Sequence, residues 1–223
     1  MENQIELRYA TELRADKESG IISGTAIVFN SESNLLGGEF REVILPSAAT
    51  LEFLQSQDIV MKYNHLEDSI LARYRKDGQR NSLNFSVDER GVHFSFRAKK
   101  NDAGILESIS NGDLDSCSFA FRVSPEPNSE KWEKRNNGEY LRTVSKFSVV
   151  RDFSIVISPA YSQTSLSVRG LDELKAQEEL KVQEEQKRKA DAEKAEADKK
   201  IADDKRLQEY HQKYENILNS LKK

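Results

Sequence analysis

The sequence predicts an α+β body over residues 1–170, followed by a charged helical tail over residues 171–223. Three observations lead to that reading. Short runs of alternating apolar residues, bounded by turn-forming residues, recur through the first 157 positions, as half-buried strands require. Two intervening stretches space their apolar residues as a helix does. Beyond Gly170 there is neither Pro nor Gly, and Glu, Lys, Ala, Asp and Gln dominate.

Taken in order, Ile5, Leu7 and Tyr9 alternate with polar residues and predict a first strand. Gly24 to Phe29 is a short apolar strand, residues 30–38 have turn composition, and Phe40 to Leu45 resumes the extended pattern. Pro46 suits the first turn of a helix running to about Gln57, where its missing N–H leaves no bond unmade. Leu51 and Leu54 give that helix one apolar face, with Phe53 beside it. Ile59 to His65, Leu83 to Val87 and Val92 to Ala98 read as strands, with Arg90-Gly91 as a hairpin turn. A second helix starts after Asn101-Asp102, either of which can cap it. It carries Ile105, Leu106 and Ile109 on one side and ends at Gly112. Ser116 to Val123 is a strand and residues 124–139 a polar loop. Leu141 to Val144 and Phe147 to Ile157 are the last strands, the second stopped by Pro159.

The tail reads as one long helix or a chain of helical pieces. Residues 183–200 hold no large apolar residue, so that part is a solvated helix supported by i,i+4 ion pairs. Leu207, Tyr210, Tyr214, Ile217 and Leu221 then step by three and four, a coiled-coil seam about two heptads long that suits a partner helix. A frayed charged tail is the plainer alternative.

At 223 residues the chain suits one domain of ordinary size with an appendage. Its apolar share of 37% lies below the globular norm and its charged share of 32% above it. The tail accounts for much of this, with 13 Lys+Arg and 14 Asp+Glu against 21 and 24 in the body. Neither part is basic, which argues against a nucleic-acid partner held by phosphate contacts. Cys117 is the only cysteine, so no intramolecular disulfide or cysteine metal cluster forms. No cofactor and no metal are expected. The opening residues are polar and charged, unlike a signal peptide, and no run approaches the roughly 18 apolar residues of a membrane span. A soluble protein of a reducing cytoplasm, with no membrane partner, is the expectation.

Three polar residues carry the chemistry: His65, Ser118 and Asp152, in the segments IVMKYNH, DSCSFAFRV and VVRDFSIVISPAY. An imidazole, a hydroxyl and a carboxylate delivered by a sheet are the set that activates a serine for attack on an acyl group. Alternation places Phe119, Phe121 and Val123 on one face and Ser118, Ala120 and Arg122 on the other. Likewise Phe153, Ile155 and Ile157 oppose Asp152, Ser154 and Val156, while His65 shares the parity of Ile59, Met61 and Tyr63. Blander readings stay open. His65 suits a turn cap or a surface position, Ser118 is one serine among many, and Asp152 can pair with Arg151 or Arg122. Ser116 and Cys117 compete with Ser118, although Cys117 has the parity of Phe119 and suits a small buried apolar site. His93, within a strand, and His211, in the tail, read as structural.

The order of several motifs says more than any one of them. They are Gly24-Thr-Ala-Ile-Val-Phe29, Gly38-Glu-Phe-Arg-Glu-Val-Ile-Leu-Pro-Ser-Ala48, Asn64-His65, Asn111-Gly-Asp-Leu-Asp-Ser-Cys-Ser-Phe-Ala-Phe121, and Asp152-Phe-Ser-Ile-Val-Ile-Ser-Pro-Ala-Tyr161. Across roughly residues 20–169 the chain resembles the HK97-type prohead proteases of tailed bacteriophages, a family thought to be related to the herpesvirus assemblin proteases. The resemblance implies that His65 is the general base, Ser118 the nucleophile and Asp152 the third member, at a position where the family often has Glu. The assemblin-type enzymes use a second His instead, and none lies near that point here. Ala120 stands where the family often has Gly. The implied fold is a closed, mainly antiparallel β-barrel with helices around it.

The implied activity is that of a serine endopeptidase without metal or cofactor. Its substrates would be the capsid scaffold, the scaffolding segment of the major capsid protein and the protease itself. They would be cut inside the prohead, in the host cytoplasm, by a homo-oligomer for which a dimer is one arrangement. Two other readings accompany it: a protease–scaffold fusion that acts mainly as an assembly protein, and a catalytically inactive structural homologue.

Overall fold

Strands with one apolar face need a second layer to cover it, and the computed structural model, which describes residues 5–10, 12–157 and 169–220, meets that need with stacked sheets. The chain divides into two units, Met1–Ser167 and Val168–Lys223. In the first unit the described strands are β1 (Glu6–Ala10), β2 (Leu13–Asp16), β3 (Ile21–Val28), β4 (Phe40–Ile44), β5 (Ile59–Tyr63), β6 (Ile70–Tyr74), β7 (Leu83–Val87), β8 (Gly91–Arg97), β9 (Ser116–Val123), β10 (Glu130–Lys134), β11 (Tyr140–Val144) and β12 (Phe147–Val156). They form a five-stranded sheet ordered β1-β9-β12-β5-β6, a four-stranded sheet ordered β2-β3-β8-β7, and a three-stranded sheet ordered β10-β11-β4. The architecture is therefore mixed α+β. Most pairings are antiparallel, but β12 with β5 and β11 with β4 are parallel.

The core fills the space between the two larger sheets. Ile22, Leu83, Phe94 and Phe96 come from one, and Met61, Phe119, Phe121, Phe153 and Ile155 from the other. The rings of Phe94 and Phe153 meet across the gap with centroids 6.4 Å apart. The hairpin from β7 to β8 turns at Asp88–Gly91, where Oδ1 of Asp88 accepts the Arg90 N–H at 2.8 Å. Gly91 is required there, because a Cβ would stand 2.1 Å from the Ile27 carbonyl oxygen.

A second contact between sheets is ionic. Arg8 on β1 reaches both carboxylate oxygens of Glu42 on β4, at 2.6 and 2.7 Å. Arg142 on β11 adds a 2.9 Å bond to Glu42 and pairs with Glu130 on β10. Glu6 completes the cluster. Burial alone would raise its carboxyl, but Arg142 and Arg8 outweigh that and hold it below the ordinary carboxylate value. Buried charges persist only when paired in this way.

Several expectations are corrected. Hydrogen bonding divides the described strands into three sheets, and the closed barrel is not seen. At the β6–β7 junction three hydrogen bonds close a turn, Gly78 N–H to the Arg75 carbonyl, Gln79 N–H to Asp77, and Arg75 N–H to Asn81, while Lys76 N–H turns away to Asp58. One backbone bond, from Ser82 N–H to the Arg73 carbonyl at 3.0 Å, stands where a closed barrel needs a ladder. The helix predicted from Pro46 to Gln57 is instead a 3-10 turn at Pro46–Ala49 and a short helix α1 at Leu51–Gln55. Thr50 separates them in extended conformation and caps α1 by accepting the Phe53 N–H.

The predicted loop 124–139 contains β10, held because Trp132 packs on Phe40 at 5.0 Å and lies under the Arg142 guanidinium. Helix α2 (Ala103–Asn111) does end at Gly112, whose φ of 81° is left-handed. The segment Pro159-Ala-Tyr161 lies outside the described residues.

The second unit is α3, a helix from Arg169 to Ser220. Ion pairs one turn apart, Lys189 with Glu185 and Lys200 with Glu196, support its charged middle. Of the predicted seam, Leu207 is exposed, and the side chains of Tyr210, Tyr214, Ile217 and Leu221 lie outside the described residues. No helix among the described residues is long and apolar enough to cross a membrane.

Candidate active site

Ser118 lies in the middle of β9, flanked by Tyr9 of β1 and Ser154 of β12. Alternation turns Phe119 and Phe121 into the core and leaves Ser118 and Ala120 on the opposite face. Asp152 reaches that face through a β-bulge. Val150 sits opposite Phe121 and Asp152 opposite Ala120, so Arg151 is the extra residue on β12. Without the bulge, Val150 and Asp152 would point the same way, and the carboxylate would enter the apolar core. Bulges commonly re-aim a side chain in this manner.

His65 arrives by a different device. Strand β5 ends at Tyr63, two residues before the predicted end. Asn64 and His65 then adopt left-handed conformations, with φ of 51° and 56°. This overrides the strand parity, which would have sent the imidazole to the core side with Met61. Two successive non-glycine residues in this region cost about 1–2 kcal/mol each unless the surroundings hold them. Asn64 supplies the hold: its N–H donates to the Ile155 carbonyl at 2.8 Å, and its Oδ1 accepts the Ile157 N–H at 3.1 Å.

The three side chains meet. His65 Nε2 is 2.7 Å from Ser118 Oγ, and His65 Nδ1 is 2.5 Å from Asp152 Oδ1. A carboxylate only accepts, so Nδ1 carries the proton toward Asp152 and Nε2 is left to accept the Ser118 O–H. Burial pushes the Asp152 carboxyl up, but the hydrogen bond and charge of His65, then Lys62 and Ser154, prevail and hold it below the ordinary value. Asp152 is therefore ionised near neutrality, as a group that orients an imidazole must be.

Two neighbours escaped the sequence reading as parts of the site. Ser154 Oγ lies 3.1 Å from His65 Nδ1 and donates to Asp152 Oδ1 at 3.2 Å. Lys62, which pairs with Ser154 across the β5–β12 ladder, places its Nζ 3.5 Å from Asp152 Oδ2. The available signal was register: a parallel pairing of β5 with β12 lines Lys62 up with Ser154, but a sequence does not announce that pairing.

Ser118 is fully buried, with no accessible surface, whereas the His65 side chain keeps 19%. The competing residues lie elsewhere in function. Cys117 is buried on the core side, and burial, with Asp115 adding to it, pushes its thiol up to about 12, far from a reactive thiolate. Ser116 donates to Asp115 at 2.6 Å. His93 bridges Thr25 and Asp88 in the four-stranded sheet, and His211 is exposed on α3. Among the described residues no group of three or more His, Cys, Asp or Glu side chains is arranged to hold a metal.

The arrangement is a hydroxyl, an imidazole and a carboxylate in one hydrogen-bonded chain. A family model described as caudovirus prohead serine protease matches residues 5–177, a span that includes all three side chains. No curated protein and no solved structure matches the chain significantly. The match takes in more than half of the sequence, and the chain belongs to the caudovirus prohead serine protease family.

Proposed function

We propose that the protein is a serine endopeptidase of phage capsid maturation in which Ser118 attacks, His65 acts as general base and then general acid, and Asp152 orients the imidazole. The observation that carries this reading is the continuous chain Ser118 Oγ–His65–Asp152, with both contacts at hydrogen-bond distance. As Oγ bonds to the scissile carbonyl carbon, its proton passes to Nε2. The same proton then goes to the departing amine, and water repeats the cycle to release the acyl group. Asp152 stabilises the imidazolium formed in between. Backbone N–H groups would hold the developing oxyanion, each such donor typically contributing about 3–4 kcal/mol.

Membership of the family makes capsid maturation the setting. The substrates we propose are the scaffold, the scaffolding segment of the major capsid protein and the chain itself, cut inside the prohead within the host cytoplasm by a homo-oligomer such as a dimer. A kinship with the herpesvirus assemblins, the three sheets being an opened version of a barrel, belongs to the same proposal. The buried state of Ser118 supports a latent resting form, in which whatever covers the serine must move before a peptide can enter. A fluorophosphonate probe tests this on the full chain. Labelling of Ser118, located by peptide mass and absent in Ser118→Ala, is the expected result once the enzyme is active.

Asn64 gives a second test. Asn64→Gly retains the left-handed backbone but loses the Ile157 bond, and is expected to lower the rate about tenfold. Asn64→Ala loses both and is expected to lower it about a hundredfold, since small misplacements of a catalytic base are costly. Thermal unfolding of both variants separates this from loss of fold.

We further propose that residues 1–170 form the protease domain and that the tail from 171 onward serves assembly, as a docking helix or a scaffold-like or coiled-coil element. The charged surface of α3 is the observation behind it. Removing residues 178–223, beyond the family match, is expected to leave peptide hydrolysis intact and to reduce the amount of enzyme found in purified proheads. A reading in which the chain acts mainly as an assembly protein expects the reverse: proheads would fail to form without the tail, while Ser118→Ala would be tolerated.

A further inference from the structure

Lys62 is a buried cation beside Asp152 that neither gives nor takes a proton in the proposed serine chemistry. Its side chain is only 4% exposed, and the ammonium lies 3.5 Å from Asp152 Oδ2 and 3.0 Å from Glu67 Oε1. Glu67 is itself exposed and also accepts from Arg151 at 2.8 Å. The two oxygens of Asp152 thus have separate partners. Oδ1 takes His65 and Ser154, while Oδ2 faces Lys62. A buried ion pair is seldom the most stabilising way to fill such a space, and an apolar residue would serve packing as well. The ammonium is better understood through its effect on the carboxylate and the imidazole beyond it.

We propose that Lys62 is a positioning residue for the serine chemistry. It pins Asp152 through Oδ2 so that Oδ1 stays on His65, and it offsets the carboxylate charge so that the imidazole remains neutral and free to accept the Ser118 proton. The inference rests on the catalytic reading of Ser118, His65 and Asp152. Without Lys62, the uncompensated Asp152 charge would favour a proton on His65 more strongly. Glu67, at the rim, weakens Lys62 by sharing it. The other charged side chains rooted on this face of the sheet are Arg73 on β6, aligned with Val60 and Asp152, and Arg122 on β9. Arg151 faces outward onto Glu67.

The test is the titration of His65 in the full chain, followed by imidazole NMR. The chain has three histidines, and His65 is assigned by its absence in His65→Gln. Lys62→Met is expected to raise the His65 midpoint by about one pH unit, the size of effect a nearby charge exerts. Lys62→Arg is expected to restore it. Glu67→Gln, a change at an exposed position, is expected to move the midpoint down, and it carries the test if Lys62→Met does not fold. The acid limb of fluorophosphonate labelling should move with the midpoint. Titration unchanged in both Lys62→Met and Glu67→Gln would overturn the inference. Failure of the catalytic reading is a separate result: labelling that persists in Ser118→Ala, whatever His65 does.

Discussion

Ser118→Ala is expected to abolish peptide hydrolysis, with a loss of at least about 10³-fold and up to the 10⁶-fold range seen when a serine nucleophile is removed. The substitution deletes the atom that forms the acyl bond, and the neighbours are engaged otherwise: Ser154 donates to Asp152 on the Nδ1 side of the imidazole. Cys117 faces the core with its thiol held up near 12, and Ser116 is bonded to Asp115. The fold should barely notice. Ser118 lies in a strand, where Ala is tolerated, and the hydrogen bond lost to His65 contributes only about 1 kcal/mol. Intact mass over time on wild type and variant, with thermal unfolding alongside, checks both halves. Self-trimming that continues in the variant would remove Ser118 from its proposed role and with it the endopeptidase reading.

Asp152→Asn should be almost as damaging to activity, by about 10⁴-fold, the drop found when the orienting carboxylate of a serine triad becomes an amide. The amide can turn its NH₂ toward His65 Nδ1 and impose the opposite tautomer, which points an N–H rather than a lone pair at Ser118. It also leaves the Lys62 ammonium buried beside a neutral group. Stability gives a second readout with a definite sign. The Asp152 carboxyl is held below its unfolded value, so its contribution is fully present above about pH 4 and is lost as pH falls through the folded value. The variant should therefore be less stable at neutrality, and the gap to wild type should shrink as the pH is lowered below about 4. A gap that stays constant from pH 7 to pH 3 would show that the carboxylate is not favoured by its surroundings.

Much of this site was legible in the sequence, and the illegible parts share a cause. Ser118 follows simple alternation, and Phe119 and Phe121 mark the core face without ambiguity. Asp152 looked equally regular when counted back from Phe153 and Ile155, because the bulge at Arg151 lies on its other side. His65 shares the parity of the apolar row Ile59, Met61 and Tyr63, so alternation alone does not give its direction. That direction comes from two left-handed residues, a conformation that Asn tolerates but that His does not signal. Lys62 and Ser154 became part of the site only through the parallel register of β5 and β12. The same limit explains β10, whose residues read as a polar loop until Phe40 and Arg142 enclose Trp132. Local pattern determined which face of a strand is apolar; pairing partners and irregularities came from the rest of the chain.

Strand β12 is the last strand of the described body to leave the ribosome, yet it lies at the centre of the five-stranded sheet. Before it arrives, β9 can pair only with β1, and β5 only with β6, leaving two separate ribbons. An incomplete translation product would therefore lack the two ladders that set its imidazole beside its alcohol. Any chemistry that needs both side chains must wait for the final strand, which alone lies between β9 and β5.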